Sequence, residues 1–383
     1  MNKRKIINDP VYGFTTIPDE LIYDLIQHPY FQRLRRIRQL GLTDYVYPGA
    51  VHTRFHHALG ALHLMTLAID CLRSKGIEIT VAEAQAAQIA ILLHDIGHSP
   101  FSHALERKFI NRSHEEISLA FMHRLNTTFH GQLDEAIQIF SNQHAKTFLS
   151  QLVSGQLDVD RMDYLNRDSF FTGVAEGVIG YERIIKMLHV VNNQLVVEAK
   201  GLYTVEKFLH SRRIMYWQVY LHKTVLAAEK MLVYWFEYIL EETSGANAFT
   251  QKIKKLQSEK NNTEKMLSRF ATIDDTDVMM ALKSYRPIKN HSSSILAEGL
   301  VQRKLFKCLL SNKAFDISFI KKIKKESKYP SLVFSGKESN AGYTPKLNEI
   351  MILMKDKSIV PLSKVSEVHY KSNIESKFYL IYS

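Results

Sequence analysis

The run ILLHDIGHSPFSHALE sets His94 and Asp95 side by side at the end of an apolar stretch. An imidazole and an ionised carboxylate buried together are costly unless something offsets their desolvation, and a divalent cation would do so. An isolated His-Asp dipeptide is ordinarily satisfied by local hydrogen bonds. This one has company, with HHALG upstream and DVDRMDY downstream, both able to deliver ligands from a distance. His57, His94, Asp95 and Asp160 together make a two-imidazole, two-carboxylate set with open positions, suited to Mn²⁺, Fe²⁺, Zn²⁺ or Mg²⁺. An ion so held can polarise a phosphoryl oxygen and bring the pKa of a bound water near neutrality. His103 and Glu106 share one face of a helix at i,i+3. A carboxylate there fixes the imidazole tautomer and suits it to proton delivery in phosphoester cleavage.

Rigid elements must hold these groups. Apolar residues recur at helical spacing from Ile17 to Leu40, and again over 55–74, where Gly76 closes the helix. The next predicted helix, VAEAQAAQIAILLHD, becomes almost wholly apolar and is expected to be buried. Gly97 and Pro100 interrupt it, and Ser102 is placed to cap a further helix. Residues 144–168 read as helical around LDVDRMDYLNRD, HVVNNQLVVEAKGLYT as a hairpin about an Asn-Asn turn, and 205–243 as one long apolar helix. SGAN at 244–247 is the expected boundary, and SLVFS, IMILM and FYLIY are strand-like. The expectation is a mainly α fold in two portions. Residues 1–245 carry the chemistry, and 246–383 form a basic helical region with a smaller α+β tail.

The 383 residues suffice for a sizeable core. Two distant cysteines, Cys71 and Cys308, provide no disulfide framework. MNKRKIINDPVYG lacks the apolar region of a secretory signal, and no stretch approaches the ~18 uninterrupted apolar residues of a membrane span. A cytoplasmic protein with no membrane partner is expected. Of the net charge of +11, +10 lies in residues 251–330, with 18 Lys+Arg against 8 Asp+Glu, densest in KIKK (252–255) and KKIKK (321–325). Such runs are ordinarily a solvated helix face. A nucleic-acid surface is an alternative, although no helix-turn-helix, zinc-finger or interleaved aromatic–basic signature accompanies it. The chemistry-bearing portion is nearly neutral, so it would meet phosphate with placed arginines and a metal.

YPGAVHTRFHHALG, LLHDIGHSPFSHALE, SHEE and LDVDRMDYLNRD, with INDPVYG and FQRLRRIRQLG before them and RRIMYWQVYLHK after, resemble the HD-domain phosphohydrolase superfamily in order and spacing. The likeness covers roughly residues 5–240. Within that superfamily they are similar to the deoxynucleoside triphosphate triphosphohydrolases, the branch of the vertebrate SAM-and-HD-domain enzyme. The resemblance implies an all-α HD domain whose single divalent metal is held by His57, His94, Asp95 and Asp160. It also implies attack of water on the α-phosphorus of a dNTP, releasing deoxynucleoside and tripolyphosphate. His98, His103 and His114 fall at the reacting phosphates, and Glu106, an Asp in the vertebrate enzyme, falls on the acid–base carboxylate. Arg54, Arg161 and Arg212 match phosphate contacts, with Arg161 standing where that enzyme has Lys. Gln39, Tyr164 and Asp168 match residues around the deoxyribose, and Tyr220 a sugar- and base-side aromatic. His52, His56 and His63 are assigned structural or supporting roles.

The resemblance further implies a homo-oligomer, dimer or tetramer, and a regulatory pocket for an activating nucleotide matched by Asn8, Gln32 and Arg35. Gln27 replaces the guanine-reading Asp of that pocket, so activation by another nucleotide is the open case. A phosphohydrolase of a monophosphate, a cyclic nucleotide or an alarmone would share the metal set but not the sugar and triphosphate set.

Overall fold

The computed structural model describes residues 5–241, 248–261, 263–284, 291–340, 343, 349–368 and 375–383. The architecture is mainly α, with small sheets that lie largely in the C-terminal part. The expected boundary at 244–247 lies outside the described residues.

The helix Arg54–Ser74 runs through the interior, and its first turn is closed by Thr53 N donating to His56 Nδ1 at 3.1 Å. Its length and apolarity alone would let it cross a membrane, but 67% of its most apolar window is buried inside the protein. The helix Val81–Leu93 starts on a reciprocal cap. Glu83 N donates to Thr80 Oγ1 at 3.1 Å and Thr80 N to Glu83 Oε2 at 2.8 Å. It is buried on nearly all sides from Ala84 onward, as its composition predicts, and His94 and Asp95 occupy the turn at its end.

Ser102 does not act as the expected cap. Phe101 precedes the short 3-10 turn Ser102–Leu105 with φ 55°, and the Ser102 hydroxyl instead donates to Arg38 O at 2.5 Å and accepts from Arg54 Nε at 2.9 Å. Residues 144–168 hold two helices, Thr147–Val153 and Val159–Thr172. Asp158 caps the second by accepting from Arg161 N at 2.7 Å. The predicted long helix over 205–243 is broken into Leu202–Met215, a π-helical stretch Tyr216–Tyr220 and Lys223–Glu241. Leu221 N bonds Tyr216 O, an i to i+5 closure at 2.8 Å that admits one extra residue without disturbing the apolar pattern.

A hairpin that the sequence reading did not anticipate, β1 (Ile6–Asp9) and β2 (Gly13–Thr16), opens the chain. The anticipated one, β3 (Leu188–Val191) and β4 (Gln194–Glu198), turns on Asn192 and Asn193 at φ 50° and 63°. Strands β5 (Lys307–Ser311), β6 (Phe334–Asn340), β7 (Met351–Leu353), β8 (Ile359–Pro361) and β9 (Glu375–Tyr382) complete two further sheets, ordered β3-β4-β7-β8 and β5-β9-β6. Because β7 joins β4 in parallel, the tail is hydrogen-bonded to the N-terminal portion. One buried apolar cluster extends from Ile17 to Ile381. Across it, Arg33 Nε donates to Ile273 O at 2.7 Å, and Asp275 accepts from Arg38 N at 2.9 Å and Phe101 N at 2.7 Å. The KKIKK run lies in the helix Ile317–Glu326, which buries none of its residues.

Candidate metal centre and active site

Three elements converge. The helix Arg54–Ser74 carries His57 on its buried face, the end of Val81–Leu93 presents His94 and Asp95, and the first turn of Val159–Thr172 presents Asp160. His57 Nε2 lies 3.3 Å from His94 Nε2, and the two lie 3.1 and 3.5 Å from Asp160 Oδ1. Asp95 closes the group, Oδ2 at 3.6 Å from His57 Nε2 and Oδ1 at 3.4 Å from His94 Nε2.

The outer bonds settle both tautomers. His57 Nδ1 faces Asp163 Oδ2 at 2.7 Å and His94 Nδ1 faces Ile91 O at 2.6 Å. Both partners only accept, so each Nδ1 carries a proton and each Nε2 is the atom left to ligate an ion. Two imidazole nitrogens and two carboxylates converging on one point fit a divalent cation, and imidazoles oriented by such outer bonds suit a metal site. The surroundings favour positive charge at this point. Burial opposes it, yet hydrogen bonds to Asp160 and Asp163 push the His57 pKa up to about 10. Asp160, despite burial, is held well below the usual carboxylate range by His57 and His94.

A cavity of about 480 Å³ has Asp95 and Asp160 in its wall, within the ~300–1,000 Å³ of small-molecule sites. Arg54, His98, His103 and His114 line it, as do Gln39, Tyr164, Asp168, Arg212 and Tyr220. Arg54 is buried and ion-paired to Asp95. His98 Nδ1 donates to Asp95 O at 3.2 Å, and its buried Nε2 has no protein partner. Burial and the Arg54 charge keep this imidazole well below the usual histidine pKa.

Glu106 comes directly after the 3-10 turn, so the predicted i,i+3 pair forms there and not on an α-helix. Its Oε2 accepts from His103 Nδ1 at 2.9 Å and its Oε1 from His114 Nδ1 at 2.8 Å. Against burial, those two bonds hold Glu106 far below the usual carboxylate range. His98, His103 and His114 thus gather with ring nitrogens within 4.8 Å of one another.

Asp168 is fixed from both sides, accepting from Tyr220 OH at 2.6 Å and facing His52 Nε2 at 2.8 Å. Gln39 Oε1 is buried without a partner, and Arg212 Nη1 donates to Gln156 Oε1 at 3.1 Å. The structure does not bring Arg161 to the cavity. Its guanidinium is ion-paired to Asp158 and donates to Gly155 O at 2.5 Å.

The sequence reading missed the groups that brace the site. Behind His57, Arg167 joins Asp163 Oδ1 at 2.9 Å to Asp9 Oδ2 at 2.9 Å, all buried. Gly60 makes room for this pair, since a Cβ there would come within 2.0 Å of Arg167 Nη2 and Asp163 Oδ1. The 160, 163, 167 spacing on one helix was a usable signal for Asp163 and Arg167. No local signal marked Asp9, nor Glu229, Lys230 and Glu338 in the cavity wall.

A family model described as HD domain matches residues 54–168, and one described as HD associated region matches 179–330. A phosphohydrolase structure from Bacteroides thetaiotaomicron is 45% identical, with each chain covered over 100% of its length and a TM-score of 0.92. The uncharacterized protein YwfO of Bacillus subtilis is 36% identical over 239 residues, which are 61% of this chain and 55% of that one. The deoxynucleoside triphosphate triphosphohydrolase SAMHD1 homolog of Dictyostelium discoideum is 30% identical over 314 residues, 75% of this chain and 59% of that one. The chain thus spans little more than half the length of these two curated relatives. With its His and Asp cluster set in the matched segment, this chain belongs to the HD-domain phosphohydrolases and carries the HD-associated region behind its HD domain.

Proposed function

We propose that the chain hydrolyses deoxynucleoside triphosphates at the α-phosphorus, releasing deoxynucleoside and tripolyphosphate. One observation carries this reading. A single cavity joins the metal-ligand carboxylates, two arginines and three imidazoles to a sugar-sized group of Gln39, Tyr164, Asp168 and Tyr220. The name of the Dictyostelium relative supports the same substrate class.

His57, His94, Asp95 and Asp160 would hold the divalent ion, which supplies Lewis acidity toward a phosphoryl oxygen and a more acidic water. Arg54, locked by Ser102 and Asp95, presents a cation that needs no reorganisation to meet phosphate. Arg212 adds a second cation to the cavity lining. Glu106 fixes the Nδ1 protons of His103 and His114, so their Nε2 atoms are the ones that exchange a proton with the leaving group. Asp168 has lone pairs left beyond its two protein bonds for a 3′-hydroxyl, and Gln39 Oε1 offers a further acceptor. Tyr164, packed against Tyr220 at 6.2 Å, is the ring that would crowd a 2′-hydroxyl in this reading.

The test is end-product analysis with Mn²⁺ and a panel of dNTPs and rNTPs, with and without a second nucleotide. Tripolyphosphate and deoxynucleoside are expected. Release of only orthophosphate or pyrophosphate would overturn the reading and point to another nucleotide substrate. Mass measurement in the same mixtures tests the proposed dimer or tetramer and an activating nucleotide at Asn8, Gln32 and Arg35.

A second reading rests on the exposed Ile317–Glu326 helix and its four clustered lysines. As a nucleic-acid surface it would bind salt-sensitively, survive Asp95→Ala, and be lost on charge reversal at 321–325.

A further inference from the structure

Leu226, Glu229, Lys230 and Val233 of the helix Lys223–Glu241 all line the cavity, and their i, i+3, i+4, i+7 spacing makes them one stripe. A series of contacts leads to it from the metal side. The Tyr164 ring lies 6.2 Å from Tyr220 and Tyr220 lies 6.3 Å from Tyr216. Tyr216 OH donates to Ser339 O at 3.2 Å, and the neighbouring Glu338 on β6 pairs with Lys230 at 2.6 Å. The stripe therefore adjoins the sugar-sized group, and Glu338 of the C-terminal sheet lines the cavity with it.

Within this stripe the polar groups are unequally satisfied. The Lys230 ammonium is held by Glu338 and lies 5.3 Å from the centre of the Tyr379 ring. Glu229 is half-buried beside Gly41, where a Cβ would lie 3.2 Å from its Oε1, two residues on from Gln39. Among the described residues its carboxyl has no hydrogen bond and no ion pair. Burial pushes its pKa up to about 7, with Lys230 opposing and Glu338 adding. A carboxyl in the cavity wall with no protein donor has its lone pairs free for a donor that the occupant of the cavity brings.

We propose that Glu229 reads the base of the nucleotide, its carboxylate accepting from an exocyclic amino group. The pocket then favours adenine and cytosine, whose N6 and N4 amino groups donate, over thymine, which offers the O4 acceptor at the corresponding edge. This inference rests on the nucleotide reading of the cavity and deepens it to base preference. Glu229 is proposed to determine specificity and has no role in the phosphoryl chemistry.

The experiment has two arms at pH 8, where the carboxylate is ionised. The first compares kcat/KM for dATP, dCTP, dGTP and dTTP in the wild-type protein and Glu229→Gln. The second compares calorimetric affinities of the four deoxynucleosides for the same proteins. Wild type should prefer adenine and cytosine over thymine in both arms. Glu229→Gln, which puts an amide donor opposite O4, should shrink the preference over thymine about tenfold. A preference unchanged within twofold in a variant that melts like wild type overturns the proposal. If the variant does not fold, equal wild-type affinity for thymidine, deoxyadenosine and deoxycytidine overturns it. The two readings fail separately. Deoxynucleoside selectivity without dNTP cleavage would sink the triphosphohydrolase reading and leave the base site standing, whereas cleavage of all four dNTPs at equal efficiency would do the reverse.

Discussion

Replacing Asp163 with Asn removes one negative charge and almost no volume at a residue that touches no substrate, which makes it a direct test of how the metal site is held. In the wild type, Asp163 Oδ2 accepts from His57 Nδ1 at 2.7 Å, while Oδ1 and Oδ2 receive Arg167 Nη2 and Nε at 2.9 and 3.0 Å. Asn has one acceptor to divide between these donors. With its carbonyl toward His57, the amide faces the guanidinium, donor against donor. With its amide toward His57, Nδ1 must accept, and the proton moves to Nε2, where the ligand lone pair has to be. Either arrangement disturbs the same ligand. Loss of such a supporting carboxylate costs about 10–100-fold in metal affinity, or roughly 1.4–2.8 kcal/mol. Arg167 keeps Asp9 at 2.9 Å, so the variant should remain folded. Competitive Mn²⁺ titration against a chelator, with melting curves alongside, reads both quantities. A folded Asp163→Asn protein whose Mn²⁺ affinity stays within threefold of wild type would show that Asp163 does not set the His57 ligand.

Gly60→Ala forces a methyl into the Asp163–Arg167 pair. Displacing either partner of a buried pair costs about 3–5 kcal/mol, so chemical denaturation should show a loss of that order, and a change below about 1 kcal/mol would contradict the packing argument. Glu106→Ala frees His103 and His114 and should lower kcat about 10²–10⁴-fold at unchanged metal content; unchanged kcat would remove Glu106 from the proton path. Chelation should lower the melting temperature and Mn²⁺ should restore it, since an ion at 100 times its Kd adds about 2.7 kcal/mol; coincident melts would argue against a metal in the folded state. The Glu229 carboxyl, raised by burial from 4.5 to about 7, binds a proton in the folded chain that the unfolded chain has released. More protons bound in the folded state means stability falls as pH rises from about 4.5 to 7. Glu229→Gln should flatten that slope, and parallel pH–stability curves would exclude the shift.

The convergence of the candidate metal ligands was legible because its signals are local. His94 and Asp95 sit where an apolar helix ends, Asp160 opens a helix, and both motifs are strings of adjacent residues. Helix existence followed from apolar periodicity, and the Asn-Asn turn from residues that tolerate positive φ. The break in the predicted 205–243 helix was not legible, since a π turn adds one residue without breaking an apolar run. Yet that break carries Tyr216 and Tyr220 into the cavity wall.

Net charge located the basic zone but not the route of the tail. The chain beyond 246 is partly a wall of the cavity, through Glu338, because β6 packs beside the Lys223–Glu241 helix. By itself the sequence determined which residues could ligate a metal, which helices would carry them, and the family they resemble. Only the tertiary structure decided that Arg161 turns to Asp158 and does not line the cavity, that Asp9 braces His57 through Arg167, and that Glu229 lines the cavity with no protein hydrogen bond among the described residues. Each of these depends on which buried charge finds which partner after the helices pack. The Asp9–Arg167 pair spans 158 residues of sequence, a separation over which spacing carries no geometric information.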